Sequence, residues 1–173
     1  MKDVHLVDVP LDLEFDMVDV DPQSFEREYD TIGESDDDAI GQWLRVAKAK
    51  GETSDSDPVV LHLIVELYRK IDRLEQIITN NVPQYFPLAQ KVAISRIGFE
   101  HFEINEPLFQ ESKQYYGRIV LPLQNKKVVP VYFEAQTTTL AKIVKVHSRD
   151  EKEWGAYMRS KERMQIRQLK GNV

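Results

Sequence analysis

The most informative absence in this 173-residue sequence is cysteine, of which it has none. Without cysteine there is no disulfide framework, no thiol nucleophile and no thiolate metal site, and such a composition suits a reducing compartment. The first residues have neither a basic patch nor a long apolar run, so we expect no signal peptide. No apolar run approaches the roughly 18 residues of a membrane-spanning helix. We therefore predict a cytoplasmic protein that does not insert into a membrane.

The residue groups that mark many enzymes are also missing. The four histidines have no metal-type spacing, and no glycine-rich phosphate loop is present. Glu100 and Glu103 flank His101, which would suit acid–base chemistry, but strand alternation places Glu100 and His101 on opposite faces. We therefore predict no catalytic site, no metal site and no enzymatic activity.

Basic residues are scarce at the start of the chain. Residues 1–38 contain 14 acidic residues against two basic ones, a net charge of -12, so the remainder carries +6 of the total of -6. Apolar residues alternate with acidic ones from Leu11 to Met17, which indicates a strand-like segment. The charge density favours a solvated arm that orders on a partner, and an edge strand packed on the same protomer is an equal alternative. We predict an acidic, flexible arm over residues 1–34.

Two helices are predicted next. Ser35 can cap a helix over Asp36–Lys50, whose first acidic residues suit the positive end of the helix dipole, and Gly51 ends it. Asp57 can cap a second helix over about Pro58–Thr79, with proline at its first position. Residues 35–81 are therefore predicted to form a helical region.

The second helix carries a heptad pattern of apolar residues. Isoleucine takes the a positions, and valine or leucine takes the d positions, a choice that suits parallel two-stranded packing. A helix of about 20 residues cannot bury such a face on itself. We predict a homo-oligomer assembled through this heptad seam, and flanking apolar residues favour a tetramer over a dimer. The seam consists of Val60, Ile64, Leu67, Ile71, Leu74 and Ile78.

From residue 84 the pattern changes to short strands. Residues 124–126 read as the turn of a hairpin, with Pro122 and Pro130 at edge or bulge positions. Gly155–Arg159 is a candidate final strand, and Ser160 can cap a closing helix, Lys161–Leu169, with Met164, Ile166 and Leu169 facing inward. The strands are predicted over Lys91–Ile94, Ile97–Ile104, Arg118–Leu123, Val128–Thr137 and Ala141–His147. Together they predict a small antiparallel barrel over residues 82–173.

The closing helix is rich in basic residues. This cluster could contact nucleic acid, but we interpret it as the polar face of the helix and predict no nucleic-acid partner. It comprises Arg159, Lys161, Arg163, Arg167 and Lys170.

Several of these features together resemble a PilZ domain, a small bacterial β-barrel that in many proteins binds cyclic di-GMP. They are the Ser95-x-x-Gly98 step between two strands, the hairpin, the Ala-Lys-Ile-Val-Lys-Val strand and the final amphipathic helix. The resemblance covers residues 84–170. It implies an α+β protein with a small antiparallel PilZ-like barrel and a C-terminal helix, preceded by two helices of which one serves oligomerisation.

The family's ligand signature is only partly matched. It combines Arg-x-x-x-Arg before the barrel with Asp/Asn-x-Ser-x-x-Gly on the barrel. Ser95 and Gly98 match the second part, but Ala93 replaces its polar residue and offers no side-chain hydrogen bond. Arg69 and Arg73 have the spacing of the first part but lie within the heptad helix, where pairing with Glu66 or Asp72 explains them. Cyclic di-GMP is therefore possible as a ligand but disfavoured, and no other cofactor is expected.

The combination of a heptad helix with a degenerate signature resembles atypical, tetramer-forming PilZ proteins. That resemblance implies a non-catalytic bacterial regulatory adaptor in motility, pili or surface behaviour, acting through an unidentified protein partner. The alternative is a cyclic di-GMP receptor that uses Arg69, Arg73, Ser95 and Gly98.

Overall fold

A computed structural model describes residues 4–35, 39–80, 84–123 and 126–171. The chain divides into two compact units. One combines Met1–Ile32 with Phe86–Val173 and contains the barrel; the other, Gly33–Tyr85, is helical.

Within the described residues, six antiparallel strands close into a barrel in the order β1-β2-β3-β6-β5-β4. Side chains that alternate along each strand fill the barrel interior, and its centre is aromatic, with Phe102, Phe109 and Phe133 buried there. The predicted fold class, an α+β protein with a small antiparallel barrel and a C-terminal helix, is confirmed. The strands are β1 (Val7–Met17), β2 (Gln90–Ile97), β3 (His101–Ile104), β4 (Gln114–Leu121), β5 (Lys127–Ala135) and β6 (Leu140–Val146).

The prediction of a flexible arm over residues 1–34 is wrong, because β1 is an integral strand of the barrel. It pairs with β2 along one side and with β4 along the other. Leu11, Leu13 and Phe15 are buried, whereas Asp12 on the opposite face is exposed. The same alternation that suits a solvated arm also suits a strand with one face in a core. The aromatic ring of Phe15 contacts that of Phe109 edge to face, with the centroids 5.2 Å apart.

A helix that the sequence interpretation missed follows β1 after a short 3-10 turn. This helix, α1 (Pro22–Ser35), packs on the outside of the barrel. Phe25 stacks on Tyr116 with ring centroids 5.1 Å apart, and Tyr29 stacks on His147 at 3.9 Å. Ser35, the predicted N-cap of the next helix, belongs to α1.

The helical unit contains α2 (Ala39–Ala49) and α3 (Pro58–Ile78). Residues 36–38 of the first predicted helix lie outside the described residues. Asp57 caps α3 as predicted, its carboxylate accepting a hydrogen bond from the Val59 N–H at 2.8 Å. However, the two helices do not precede the barrel: they lie between β1 and β2 in the sequence and so form an insertion within it.

The C-terminal helix is longer than predicted. It forms α4 (Ser148–Gly171), so the expected strand over Gly155–Arg159 and the start of a helix at Ser160 are wrong. Trp154 and Met158, four residues apart, are both buried and lie on one helical face. The inward placement of three apolar residues near the helix end is also wrong, because Met164, Ile166 and Leu169 are exposed. The part of α4 that packs on the barrel therefore ends before these three residues.

The predicted β4–β5 hairpin is confirmed by antiparallel pairing from Gln114 opposite Glu134 to Leu121 opposite Lys127. Gln124 and Asn125 of its turn lie outside the described residues. Pro130 stands just before the ladder between β5 and β6, which begins at Val131, so it interrupts no described pair with β6. Across the described ranges, no helix combines the length and apolar character needed to span a membrane.

Phe15→Ala tests the role of β1 in the core. We expect it to lower the free energy of unfolding by about 3–5 kcal/mol, because it leaves a cavity among aromatic rings. The control Asp12→Thr changes an exposed residue of the same strand and should shift stability by no more than about 0.5 kcal/mol. Urea unfolding measures both; equal stability of Phe15→Ala and wild type would show that β1 contributes little to the core.

Candidate functional site

The serine of the partial signature lies in an irregular part of the barrel. β2 continues through Ser95 to Ile97, so the predicted strand break before Ile97 is wrong. The β1–β2 register shifts between Asp8 and Leu11, and the β2–β3 register shifts between Ile94 and Arg96. Such bulges re-aim side chains and are frequent beside binding sites. This stretch of β2 is therefore the first place to test for a ligand site.

The Ser95 hydroxyl is already engaged within the barrel. It donates a hydrogen bond to the backbone carbonyl of Glu103 on β3 at 3.1 Å. The side chains of Arg96 and Glu103 form an ion pair beside it. Ser95 thus ties β2 to β3 across the register shift.

Gly98 is required by close packing. A Cβ atom at this position would lie 2.7 Å from the His5 carbonyl oxygen, closer than Cβ contacts allow. The Gly98 N–H donates to the His101 carbonyl at 2.7 Å, and its own carbonyl accepts from Trp154 Nε1 at 2.9 Å. Glycine here lets β2, β3, α4 and the segment before β1 approach one another, which gives it a structural role independent of any ligand.

A shallow, open depression of about 390 Å³ borders Ser95. Its charged groups are the carboxylates of Asp8 and Glu103 and the guanidinium of Arg96, so acidic groups outnumber basic ones. Ala93 is exposed on β2 opposite Asp12, which adds another carboxylate nearby. A doubly anionic nucleotide would meet net negative charge here. The complete lining is Asp8, Ser95, Arg96, Glu103, Ile104, Asn105 and Thr139.

The two arginines of the partial signature belong to the helical unit. Both Arg69 and Arg73 lie on α3, whereas Ser95 and Gly98 lie in the barrel unit. Arg69 Nη1 forms an ion pair with Glu66 Oε1 at 2.9 Å on the same helix. Within the barrel unit, Ser95 lies near the end of β2 and Gly98 directly follows that strand.

The sequence interpretation missed one buried, multiply hydrogen-bonded polar group of the barrel unit. Arg118 on β4 is 5% exposed. Its Nη2 donates to Glu14 Oε2 on β1 at 2.8 Å, and its Nη1 donates to Glu28 Oε1 on α1 at 2.6 Å. The same Nη1 donates to the Phe86 carbonyl at 2.9 Å. One guanidinium therefore joins β1, α1 and the segment that leads into β2.

Glu28 completes the network from the other side. Its Oε1 also accepts from the Tyr116 hydroxyl at 2.8 Å, and its Oε2 accepts from the Phe86 N–H at 2.6 Å. Both backbone polar groups of Phe86 are thus satisfied by the Arg118–Glu28 pair, as buried backbone groups require. The ring of Phe86 contacts that of Phe25 edge to face, with the centroids 5.6 Å apart.

The protonation states within this network follow from burial and pairing. Burial raises the pKa of Tyr116, and its hydrogen bond to Glu28 raises it further, so the phenol stays neutral. Burial lowers the pKa of Arg118, but hydrogen bonds to Glu14 and Glu28 more than offset this, and its net pKa is raised. The network therefore holds a charged guanidinium beside a neutral phenol.

No signal in the sequence singles out Arg118. It occupies an outward position on an alternating strand, where an arginine is ordinarily solvated. Its partners Glu14 and Glu28 are 104 and 90 residues away in the chain. Among the described residues, no group of three or more His, Asp or Glu side chains is arranged to hold a metal ion.

No protein-family model and no curated protein sequence matches the chain. Among solved structures, the inhibitor of motility (MotI/DgrA) of Bacillus subtilis is similar, with a TM-score of 0.36 and 11% identity. The match covers 45% of this chain and 43% of that protein, so less than half of either is included. A similarity of this extent identifies no shared ligand or partner.

Arg118→Met tests the buried network. Removing the guanidinium leaves the Glu14 and Glu28 carboxylates without their cation, and we expect a loss of about 3–5 kcal/mol in the free energy of unfolding. The control Arg96→Met removes the more exposed pair with Glu103 and should cost about 1 kcal/mol or less. Denaturant unfolding distinguishes them; equal losses in the two variants would contradict the buried role of Arg118.

Proposed function

We propose that this protein is a non-catalytic regulatory adaptor that assembles into a homo-oligomer through α3 and acts through protein partners. The observation that carries the proposal is the exposure of the heptad seam. Ile71, at its centre, is 56% exposed, and Ile78, at its end, is 80% exposed. All six seam residues are exposed, the least of them, Val60, by 49%. An apolar surface of this kind marks an interaction site.

The direction of the seam supports a second copy of the chain as its partner. Val65 is the buried residue of α3, and Ala47 is the buried residue of α2. Helical periodicity places Val65 on the side of α3 opposite Ile71 and Leu74. The face of α3 used within the unit therefore differs from the seam, which leaves the seam available for assembly.

The residues that flank the seam favour an assembly of more than two chains. Leu63, Tyr68 and Ile77 are exposed at e and g positions, where dimeric coiled coils usually carry charged residues. They widen the apolar face beyond a dimer seam. We therefore propose a tetramer in preference to a dimer. The bacterial regulatory role, in motility, pili or surface behaviour, rests on the PilZ resemblance, and the cytoplasmic location remains a prediction.

Ile71→Asp tests assembly. It places a carboxylate at the centre of the seam, where burying each Ile or Leu contributes roughly 1.5–3 kcal/mol before entropy costs. We expect wild type to be oligomeric and Ile71→Asp to be monomeric or aggregated at micromolar concentration, as measured by light scattering. The control His62→Asp adds the same charge at an exposed position away from the seam and should remain oligomeric. A monomeric wild type would contradict this part of the proposal.

The alternative function, a cyclic di-GMP receptor, is tested by calorimetry. The depression beside Ser95 presents more carboxylates than cations, and unwinding α3 to bring Arg69 and Arg73 to a ligand would expose seam contacts worth several kcal/mol. Micromolar binding supplies only about 8 kcal/mol in total. We therefore expect no saturable heat at micromolar nucleotide. A saturable signal that is lost in Arg69→Ala or Arg73→Ala would replace the adaptor by the receptor.

A further inference from the structure

The outward face of α4 carries a line of basic residues that the proposed assembly does not use. We call this line the basic ridge. Its members are exposed, and their spacings of seven, four, four and three residues place them on one side of the helix. At 1.5 Å per residue the ridge is about 27 Å long. It consists of Lys152, Arg159, Arg163, Arg167 and Lys170.

The ridge lies away from the face of α4 that packs on the barrel. Trp154 and Met158 are buried, and helical periodicity places them roughly opposite the ridge. None of the five ridge side chains forms an ion pair with any residue that the structure describes. The ridge is therefore a charged surface without compensation inside its own unit.

The acidic residues of α4 do not balance the ridge. Asp150 and Glu153 both pair with Lys127 Nζ, each at 2.8 Å, and Glu162 contacts His5 at 2.9 Å. The fourth, Glu151, is exposed and projects about 100° away from Lys152 around the helix. A helix surface that serves solubility alone commonly alternates charges of opposite sign at i, i+4 positions. The ridge instead places like charges at that spacing.

The like charges of the ridge oppose helix stability. Arg159, Arg163 and Arg167 form two successive i, i+4 pairs of the same sign, which destabilise an isolated helix. The helix dipole favours cations only within the last turn, so it offsets this repulsion near Lys170 but not at Arg159. A feature that opposes the helix it belongs to suggests selection for binding.

We infer that the basic ridge is a docking surface for an acidic helix of a partner protein. Cations spaced by three and four residues match carboxylates on a second helix with the same spacing, in the manner of the charged flanks of coiled coils. Such exposed pairs are individually weak, so binding through the ridge is sensitive to salt.

Two other polyanions fit the surroundings less well. A membrane-binding helix needs one continuous apolar face beside its basic residues. Of the exposed apolar residues of α4, Ile166 and Leu169 share one side, but Met164 projects nearly opposite Ile166, so two residues make too small a face. Nucleic acid carries about one charge per 1.7 Å of duplex, a density well above that of a helix with carboxylates on one face, so it would meet the stronger repulsion from exposed acidic residues of the same unit, among them Asp12, Glu26 and Asp30.

The inference supplies the proposed adaptor with a partner surface, and its test is independent of α3. Two fluorescent peptides of about 20 residues serve as probes for the full-length protein. One carries glutamates at alternating spacings of three and four, so that they share one helical face; the other has the same composition with glutamates distributed around the helix. We expect the first to bind at least about tenfold more tightly in fluorescence anisotropy, because only it aligns all its carboxylates with the ridge.

The variant Arg163→Glu/Arg167→Glu should weaken binding of the first peptide by about tenfold or more. The control Lys91→Glu/Lys113→Glu makes the same change in net charge at exposed positions on the barrel and should leave binding unchanged. Circular dichroism establishes that both variants are folded, and light scattering on the same samples reports assembly through α3. A failure of the ridge is thus distinguishable from a failure of the proposed oligomer.

Several outcomes would overturn the inference. One is equal binding of the two peptides, and another is an equal loss of binding in the ridge variant and the barrel control. Tighter binding of a short DNA duplex or of phosphatidylserine vesicles than of the first peptide would assign the ridge to nucleic acid or to membrane instead. Absence of binding by the first peptide at low salt would exclude an acidic-helix site.

Discussion

Closure of the barrel by β1 is the constraint on which the rest of the structure depends. β1 pairs with both β2 and β4, although the helical unit separates it from both strands in the sequence. The chain must therefore leave the barrel after Met17 and return to it before Gln90. This requirement makes the helical unit an insertion within the barrel domain, and it brings α1 and the segment around Phe86 onto the same barrel surface.

The Arg118 network secures the two chain segments that flank this insertion. Glu28 lies on the segment that leaves the barrel, and Phe86 lies on the segment that returns. A buried ion pair adds little net stability compared with an apolar replacement, but removing one partner is costly. Such a network therefore specifies one arrangement of the segments it joins. Aromatic packing of Phe25 on Tyr116 supplies apolar burial beside it.

The seam of α3 and the basic ridge of α4 are both exposed, and they differ in physical character. The seam of α3 is apolar, so association through it would gain free energy by dehydration and would depend little on salt. The basic ridge of α4 is charged and offers pairs that are weaker and more easily screened. A stable homo-oligomer that binds and releases a charged partner would use the seam for assembly and the ridge for the partner. The depression beside Ser95 is neither apolar nor basic, since its carboxylates outnumber its one guanidinium, which already pairs with Glu103.

The sequence by itself determined the elements whose signal is local and periodic. The α3 helix follows from its heptads and from the Asp57 cap, and the β4–β5 hairpin follows from two apolar strands around a short turn. The sequence also sufficed to predict a barrel with a C-terminal helix. For the candidate site, it placed Ser95 and Gly98 close together on the barrel but not the reason for the glycine, which is the approach of the His5 carbonyl.

Only the tertiary structure decided the role of β1, the extent of α4 and the Arg118 network. The outward carboxylates of β1 are solvated whether the segment is a free arm or a barrel strand. The alternation of apolar and acidic residues is therefore the same in both cases, and it could not reveal that Leu13 and Phe15 face a core. In α4, Trp154 and Met158 fit either a strand or a helix until packing on the barrel selects the helix. Arg118 acquires its partners only when distant segments meet, because ion pairing depends on proximity in space and leaves no local period in the sequence.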